Sequence, residues 1–142
     1  MKIETKILTT DDLPLMKEVI EDDDMIFDVK NLETFINTPN AYGFIIKLDE
    51  KIVGFAYGYA LVRPDGKIMF YLHSIGILPE NQNDGLGSKL MEFIINFAKE
   101  KNFSELFVIT DKGNPRACHL YEKFGGKNDY EDEIVYVCEF KN

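Results

Sequence analysis

The sequence predicts an α+β fold in which a mixed, mostly antiparallel central sheet is flanked by helices. Three strand-like runs follow one another between residues 41 and 77 with only short turns between them, which is typical of an antiparallel meander. The spacing of apolar residues then becomes helical, with one strand between two helices. Together these patterns predict the order β-α-α-β-β-β-α-β-α-β-β, in a single domain over residues 1–142.

The N-terminal part of this order is one strand and two short helices. Residues 2–8 are predicted to form the strand. A helix is predicted next, because Thr9 is a good cap residue and acids follow it in the first turn. A second short helix is predicted over about residues 31–37, ended by Pro39. The apolar face of the first helix comprises Leu13, Met16 and Ile20.

Three long strands form the predicted meander. They span about residues 41–48, 52–62 and 67–77. Asp49-Glu50-Lys51 turns the chain after the first strand, and Pro64-Asp65-Gly66 is a strong turn signal after the second.

Two helices and a strand follow, and then a last hairpin. A strand over residues 104–110 leads into a helix that Asn114 caps, Pro115 begins and Gly125-Gly126 ends. The hairpin is predicted over about residues 127–140. The apolar face of the helix before this strand comprises Leu86, Leu90, Phe93, Ile94 and Phe97.

The charge balance argues against nucleic acid as a partner. Lys and Arg number 16 against 25 Asp and Glu, a net charge of −9. Binding to nucleic acid requires clustered Lys and Arg, whereas an acidic surface attracts small cations. The acids are dense over residues 21–24 and 129–133, which is also what an ordinary solvated surface would show.

Cysteines and apolar runs suggest a cytoplasmic protein without a metal. Cys118 and Cys138 form no CxxC and have no matching histidine set, so neither a disulfide framework nor a zinc site is expected. The first six residues do not resemble a signal peptide, and no apolar run approaches the ~20 residues that span a bilayer.

The segment most informative about chemistry is the connection from residue 75 to residue 88. A strand ends there and a helix begins after Gln82-x-x-Gly85-x-Gly87. Backbone N–H groups at a helix N-terminus form an anion site that suits a pyrophosphate, and glycine lets the ligand approach closely. Taken alone, the pattern also fits a tight strand-to-helix connection. No Gly-Lys-Ser/Thr follows, which excludes a P-loop, and the third glycine of a Rossmann loop is absent.

Residues 71–126 resemble the GNAT superfamily of N-acetyltransferases. The glycine loop matches the family pattern Gln/Arg-x-x-Gly-x-Gly/Ala. Downstream, residues 113–125 are similar to the second family motif in their Asn, Ala, Leu-Tyr and terminal Gly. The element order is GNAT-like over the whole chain.

The resemblance implies acetyl-CoA as cosubstrate and no metal. The backbone of Ile75, Gly76 and Ile77 would pair with the pantetheine arm as an added strand, and an N–H near Ile75 or Gly76 would stabilise the oxyanion. The amides that would hold the pyrophosphate are those of Gln82, Asn83, Asp84, Gly85, Leu86, Gly87 and Ser88.

Two downstream residues also receive roles from the resemblance. Asn114 would hydrogen-bond the pantetheine, and Tyr121 would face the sulfur as the acid. A tyrosine pKa of about 10 exceeds the roughly 8.5 of a thiol, so a hydrogen bond to the developing thiolate is the expected contribution. A helix cap at Asn114 and a core tyrosine at 121 are the alternatives.

A general base is required, because only a neutral amine attacks a thioester. His73 is the leading candidate, since histidine titrates near neutrality, although a structural histidine remains an alternative. Tyr71, His73 and Ile75 would share one face of the strand unless a bulge intervenes. Glu80 and Asp84 are weaker candidates.

The predicted function is transfer of an acetyl group to a primary amine by direct attack on the thioester. The acidic balance favours a small cationic acceptor, which Asp22, Asp23 and Asp24 would bind. The alternatives are a protein N-terminal or lysine acetyltransferase, a non-catalytic CoA- or acyl-CoA-binding regulatory module, and a binder of other nucleotide phosphates. The last strand would also suit a homodimer, which the sequence does not test. No membrane partner is expected.

Overall fold

The computed structural model of the chain describes residues 1–130 and 132–141. The chain divides into two units, Met1–Ile109 and Thr110–Asn142. The single domain expected over residues 1–142 stays a prediction.

The first unit is built on a five-stranded sheet. Its strands are arranged in the order in which they occur along the chain, and the first four pair antiparallel. The last strand joins the fourth in parallel after a helical crossover. The predicted fold class, α+β with a mixed sheet, is confirmed. The strands are β1 (Ile3–Ile7), β2 (Ala41–Leu48), β3 (Lys51–Val62), β4 (Ile68–Ile77) and β5 (Glu105–Phe107).

Helices precede and follow the meander. A 3₁₀ helix, Thr10–Leu15, leads into α1 (Lys17–Asp22), where the sequence predicts one continuous helix. Pro14 lies inside the first segment and lacks the N–H that an α-helical ladder needs, which explains the interruption. The remaining helices are α2 (Val29–Ile36), a short 3₁₀ helix (Pro79–Asn81), α3 (Leu86–Glu100) and, in the second unit, α4 (Pro115–Lys123). No described helix is both long and apolar enough to cross a bilayer.

Both faces of the sheet are covered by helices. On one face Phe97 of α3 packs edge-to-face on Phe44 of β2, with ring centroids 5.1 Å apart. On the other face, Val19 and Ile20 of α1 belong to a buried cluster that also contains Phe55 of β3. The site residues predicted on β4 therefore belong to a sheet that is packed on both faces.

A buried carboxylate connects the 3₁₀ helix to β1 and β2. Asp12 is only 2% exposed and accepts a hydrogen bond of 2.9 Å from the Thr9 N–H. Its carboxylate forms ion pairs with Lys6 at 2.8 Å and Lys47 at 3.2 Å. Burial by itself raises the pKa of Asp12, but hydrogen bonds from Lys6, Thr9 and Lys47 outweigh burial and lower it to about 2.

A bulge interrupts β4 at His73. Tyr57 of β3 lies opposite Ser74 and Gly58 lies opposite Leu72, so His73 is the extra residue. Tyr71, His73 and Ile75 are expected to share one face of β4 only without a bulge, so they do not all share one face. The centroid of the His73 ring lies 5.2 Å from that of Tyr57, so His73 is on the face of the sheet that carries Tyr57. Ile75 is on the other face, which α3 covers.

Among its described residues, the second unit contains α4 but none of the predicted final strands. Over residues 127–130 and 132–141 the described chain has no regular secondary structure, and Glu131 of the predicted hairpin lies outside the described residues. A lone two-stranded hairpin is marginally stable, and this unit offers no third strand among its described residues. The exposed large apolar side chains of this unit include Tyr130, Ile134, Val135, Tyr136, Val137 and Phe140. In the first unit β5 is also shorter than the predicted residues 104–110.

Candidate active site

The loop before α3 presents the beginning of a long helix without a side-chain cap. Gly85 is the N-cap residue, and its φ of 79° lies in the left-handed region that favours glycine. The first turn of α3 carries no acidic residue. The N-terminus of this 15-residue helix thus carries the partial positive charge that attracts an anion.

Neither the backbone conformation nor the packing at position 87 requires a glycine. Its φ is not positive, and an added Cβ would meet only the Cγ1 of Ile77, at an ordinary contact distance of 3.8 Å. A methyl group there would stand in the space beside the first amides of α3. The absence of a side chain is therefore best explained by the close approach of a ligand, and a pyrophosphate fits these residues.

Gln82 attaches the loop to the end of β4. Its side-chain Nε2 donates a hydrogen bond of 2.9 Å to the carbonyl oxygen of Ile77. The next residue, Asn83, has a φ of 71°, a conformation that asparagine tolerates better than most residues. The side chain of Gln82 therefore ties this loop to the end of β4.

β4 has an open edge next to this loop. Its parallel pairing with β5 ends at Tyr71 opposite Phe107, whereas its pairing with β3 continues to Ile77. The N–H of Leu78 donates to β3, so the backbone groups of Ile77 and, two residues earlier, Ile75 face the opposite side. An extended ligand could add here as a further strand. Of the predicted backbone contacts, the Ile77 carbonyl is already engaged by Gln82.

The side chain of His73 is exposed just beyond the last β4–β5 pair. Its Nδ1 lies 2.9 Å from the hydroxyl of Tyr71. The neighbouring Tyr57 has a pKa raised to about 12, mainly by burial and then by the negative charge of Asp23. Tyr57 therefore stays protonated at neutral pH and is no candidate base, whereas the imidazole of His73 carries a nitrogen that can accept a proton.

A small cavity lies on the α1 side of the bulge. It measures about 30 Å³, and the Ser74 hydroxyl donates a hydrogen bond of 3.1 Å to Asp23 Oδ2 at its wall. Ser74 did not emerge from the sequence analysis, since only the bulge brings it to this face. Asp22 and Asp23 line the cavity and Asp24 does not, and the binding of an acceptor by these acids stays a prediction. The other lining residues are Val19, Phe55, Gly76 and Leu78.

Other candidate positions are less suggestive. Glu80 lies 3.8 Å from Lys51 in an exposed ion pair, and Asp84 is exposed. A shallower groove of about 330 Å³ lies between β1 and α3. Lys89, in the first turn of α3, lines it, but none of the predicted site residues does. Over residues 1–130 and 132–141 no group of three or more His, Cys, Asp or Glu side chains could hold a metal ion.

Asn114 and Tyr121 belong to the second unit. The Oδ1 of Asn114 accepts a hydrogen bond of 3.1 Å from the Ala117 N–H, so Asn114 caps α4. The contact of Asn114 with pantetheine stays a prediction. Burial, and then the nearby Cys118, raise the pKa of Tyr121 above its ordinary value. Its hydroxyl therefore keeps its proton at neutral pH, and its role as an acid also stays a prediction.

The sequence is similar to known acetyltransferases. A family model described as the acetyltransferase (GNAT) family matches residues 10–126. A probable N-acetyltransferase named camello, from Xenopus laevis, is 27% identical over 105 residues, which cover 74% of this chain and 46% of that protein. The chain thus spans about half the length of this curated relative.

Solved structures show the same fold. An aminoglycoside acetyltransferase from an uncultured soil metagenomic sample, crystallised with sisomicin, has a TM-score of 0.79 and 28% identity, covering 99% of this chain and 97% of its own. A ribosomal-protein-alanine N-acetyltransferase from Brucella melitensis biovar Abortus 2308 has a TM-score of 0.80 at 17% identity, covering 96% and 100%. This second likeness concerns the fold alone. The family match covers most of the chain and includes both motifs, and the chain belongs to the acetyltransferase (GNAT) family.

Proposed function

We propose that this chain is an acetyl-CoA-dependent N-acetyltransferase that acts on a small cationic primary amine. The observation that carries the proposal is Gly87. No backbone strain and no internal packing requires a glycine there, and the position lies beside the first amides of α3. A diphosphate is the ligand group that this arrangement fits best.

Each part of the cofactor would be held by a different part of the chain. Amides over residues 82–88 would bind the diphosphate, and the backbone of Ile75 would pair with the pantetheine arm along the open edge of β4. Asn114 is proposed as a second pantetheine contact on the strength of the family resemblance. When bound, acetyl-CoA supplies an acetyl group activated as a thioester.

His73 is proposed to accept the proton of the incoming ammonium group. A lysine-like amine has a pKa near 10.4, about 3.4 units above pH 7, so forming its neutral form costs roughly 4.6 kcal/mol. The imidazole of His73 is exposed to incoming acceptor and lies on the face of the sheet that carries the small cavity. Tyr121, whose raised pKa keeps its hydroxyl protonated, is proposed to donate a hydrogen bond to the leaving sulfur.

The charge around the cavity supports a cationic acceptor. Asp22 and Asp23 line it, and the chain carries a net charge of −9. The related metagenomic enzyme is an aminoglycoside acetyltransferase, and aminoglycosides are polycationic amines. A carboxylate beside the amine would lower the Michaelis constant for cations without any need for a large pocket.

A thiol-release assay with a panel of amines tests the proposal. We expect turnover with polyamines or aminoglycosides and little with neutral amines. Asp23→Asn should raise the KM for the cationic amine severalfold, whereas Asp24→Asn is the matched control because Asp24 is outside the cavity. Asparagine also suits the φ of 58° at position 24.

Each other outcome supports a different function. Binding of CoA without turnover on any amine would favour the regulatory module. Turnover only with peptide N-termini or lysines would favour a protein acetyltransferase. No heat from CoA or acetyl-CoA at millimolar concentration in calorimetry would refute the proposal altogether. The homodimer and the cytoplasmic location stay predictions.

A further inference from the structure

Tyr71 occupies the point where β4 and β5 separate. It is opposite Phe107 in the last pair of the parallel ladder. The two rings are stacked, with centroids 5.0 Å apart and an interplanar angle of 20°. This stacking limits the freedom of the Tyr71 ring and therefore fixes the position of its hydroxyl.

The hydroxyl of Tyr71 meets the imidazole of His73. The oxygen lies 2.9 Å from Nδ1, and the two rings meet edge to face at 5.4 Å. On its other side the imidazole lies 5.2 Å from the ring of Tyr57. Within residues 1–130 and 132–141, Tyr71 is the hydrogen-bond partner found for this imidazole.

We propose that Tyr71 is a positioning residue that orients His73 as the general base. This inference rests on the proposed function. By engaging Nδ1, the hydroxyl directs Nε2 away from Tyr71, toward the solvent in which His73 is exposed. The bulge places His73 at this position, and the Tyr71–Phe107 stack holds the hydroxyl that contacts its Nδ1.

The proton balance needs no further group. In the base form, Nδ1–H of His73 donates to the Tyr71 oxygen, and Nε2 carries the lone pair. Nε2 takes one proton from the substrate ammonium group, which becomes a neutral amine, and His73 becomes an imidazolium. The Nδ1–H···O bond is kept and becomes charge-assisted, and the Nε2 proton then leaves to solvent.

Tyr71→Phe is the variant that isolates this contact. Phenylalanine keeps the ring that stacks on Phe107 and removes only the hydroxyl. We expect kcat for the amine to fall about tenfold, while the KM for acetyl-CoA stays within about twofold of wild type. Tyr59→Phe, on the neighbouring strand of the same face, is the matched control and should leave kcat unchanged.

Nitrogen NMR of the histidine rings gives a readout that does not depend on activity. The chain has 2 histidines, so a His119→Gln variant assigns the His73 signals. In the wild type, one Nδ1 signal should carry the signature of a hydrogen bond. In Tyr71→Phe that signature should disappear, and the signals should approach those of a freely averaging imidazole.

Three results would overturn the inference while leaving the acetyltransferase intact. They are a wild-type kcat in Tyr71→Phe, a wild-type kcat in His73→Gln, and unchanged His73 nitrogen signals in Tyr71→Phe. If instead the wild type acetylates no amine, the proposed function fails, and the base role assigned to His73 fails with it. The NMR comparison then still decides whether Tyr71 orients the ring.

Discussion

Replacing Gly87 by alanine should stabilise the fold and weaken the binding of CoA. The residue lies in the first turn of α3, has no positive φ, and has room for a Cβ at 3.8 Å from Ile77. Alanine is favoured over glycine in helices by up to about 1 kcal/mol. At this terminal position we expect the free energy of unfolding to rise by about 0.5 kcal/mol.

The same methyl group should impair the site. It would hold a diphosphate away from the amides of the first turn, and a hydrogen bond to a charged group contributes about 1.5–3 kcal/mol. The dissociation constant of CoA should therefore rise at least about tenfold, the equivalent of 1.4 kcal/mol. Calorimetric titration and urea unfolding on the same preparation measure both effects.

Gly85→Ala is the control that separates conformation from ligand approach. An added Cβ at Gly85 would have nothing within 4 Å, but its φ of 79° is strained for alanine by about 1–2 kcal/mol. Gly85→Ala should therefore lose stability where Gly87→Ala gains it. A Gly87→Ala protein that binds CoA as tightly as the wild type would refute the reasoning.

Two further predictions concern Asp12 and Tyr121. The pKa of Asp12 is lowered from 3.8 to about 2, so its charge contributes about 2 kcal/mol above pH 5, which is lost as the pH falls through 2. Asp12→Asn should lower stability by about that amount at pH 7 and by far less at pH 2, as urea unfolding would measure; an equal loss at both would contradict it. Tyr121→Phe should lower turnover much more than acetyl-CoA affinity, and unchanged turnover in the thiol-release assay would remove Tyr121 from the mechanism.

Local patterns are sufficient to predict most of the first unit. β2 forms over the same residues that its Tyr, Phe and Ile content predicts, and α3 begins directly after the glycine loop. Such elements depend on short-range periodicity and on cap or turn residues, which a single sequence displays. The glycine loop is similarly local, and so its candidate anion site can be read from six consecutive residues.

The missing pieces depend on partners that are distant in sequence. The hairpin predicted over residues 127–140 contains the β-favouring run Ile134 to Val137, but a strand forms only where another strand offers a ladder. The contact of Ser74 with Asp23 joins residues 51 positions apart. Neither can be derived from local propensity, because propensity does not specify the register of pairing.

Deletion of His73 would test whether the bulge itself opens β4 for the cofactor. With Gly58 opposite Leu72 and Tyr57 opposite Ser74, removing His73 leaves a regular antiparallel register with no other shift. A bulge increases local twist, which we infer turns β4 away from β5 beyond Tyr71. The deletion should therefore fold, extend the β4–β5 pairing and weaken acetyl-CoA binding at least about tenfold.

His73→Ala, which removes the imidazole but keeps the bulge, should bind acetyl-CoA like the wild type. Equal binding by both variants in calorimetry would mean that β4 and β5 separate for a reason other than the bulge.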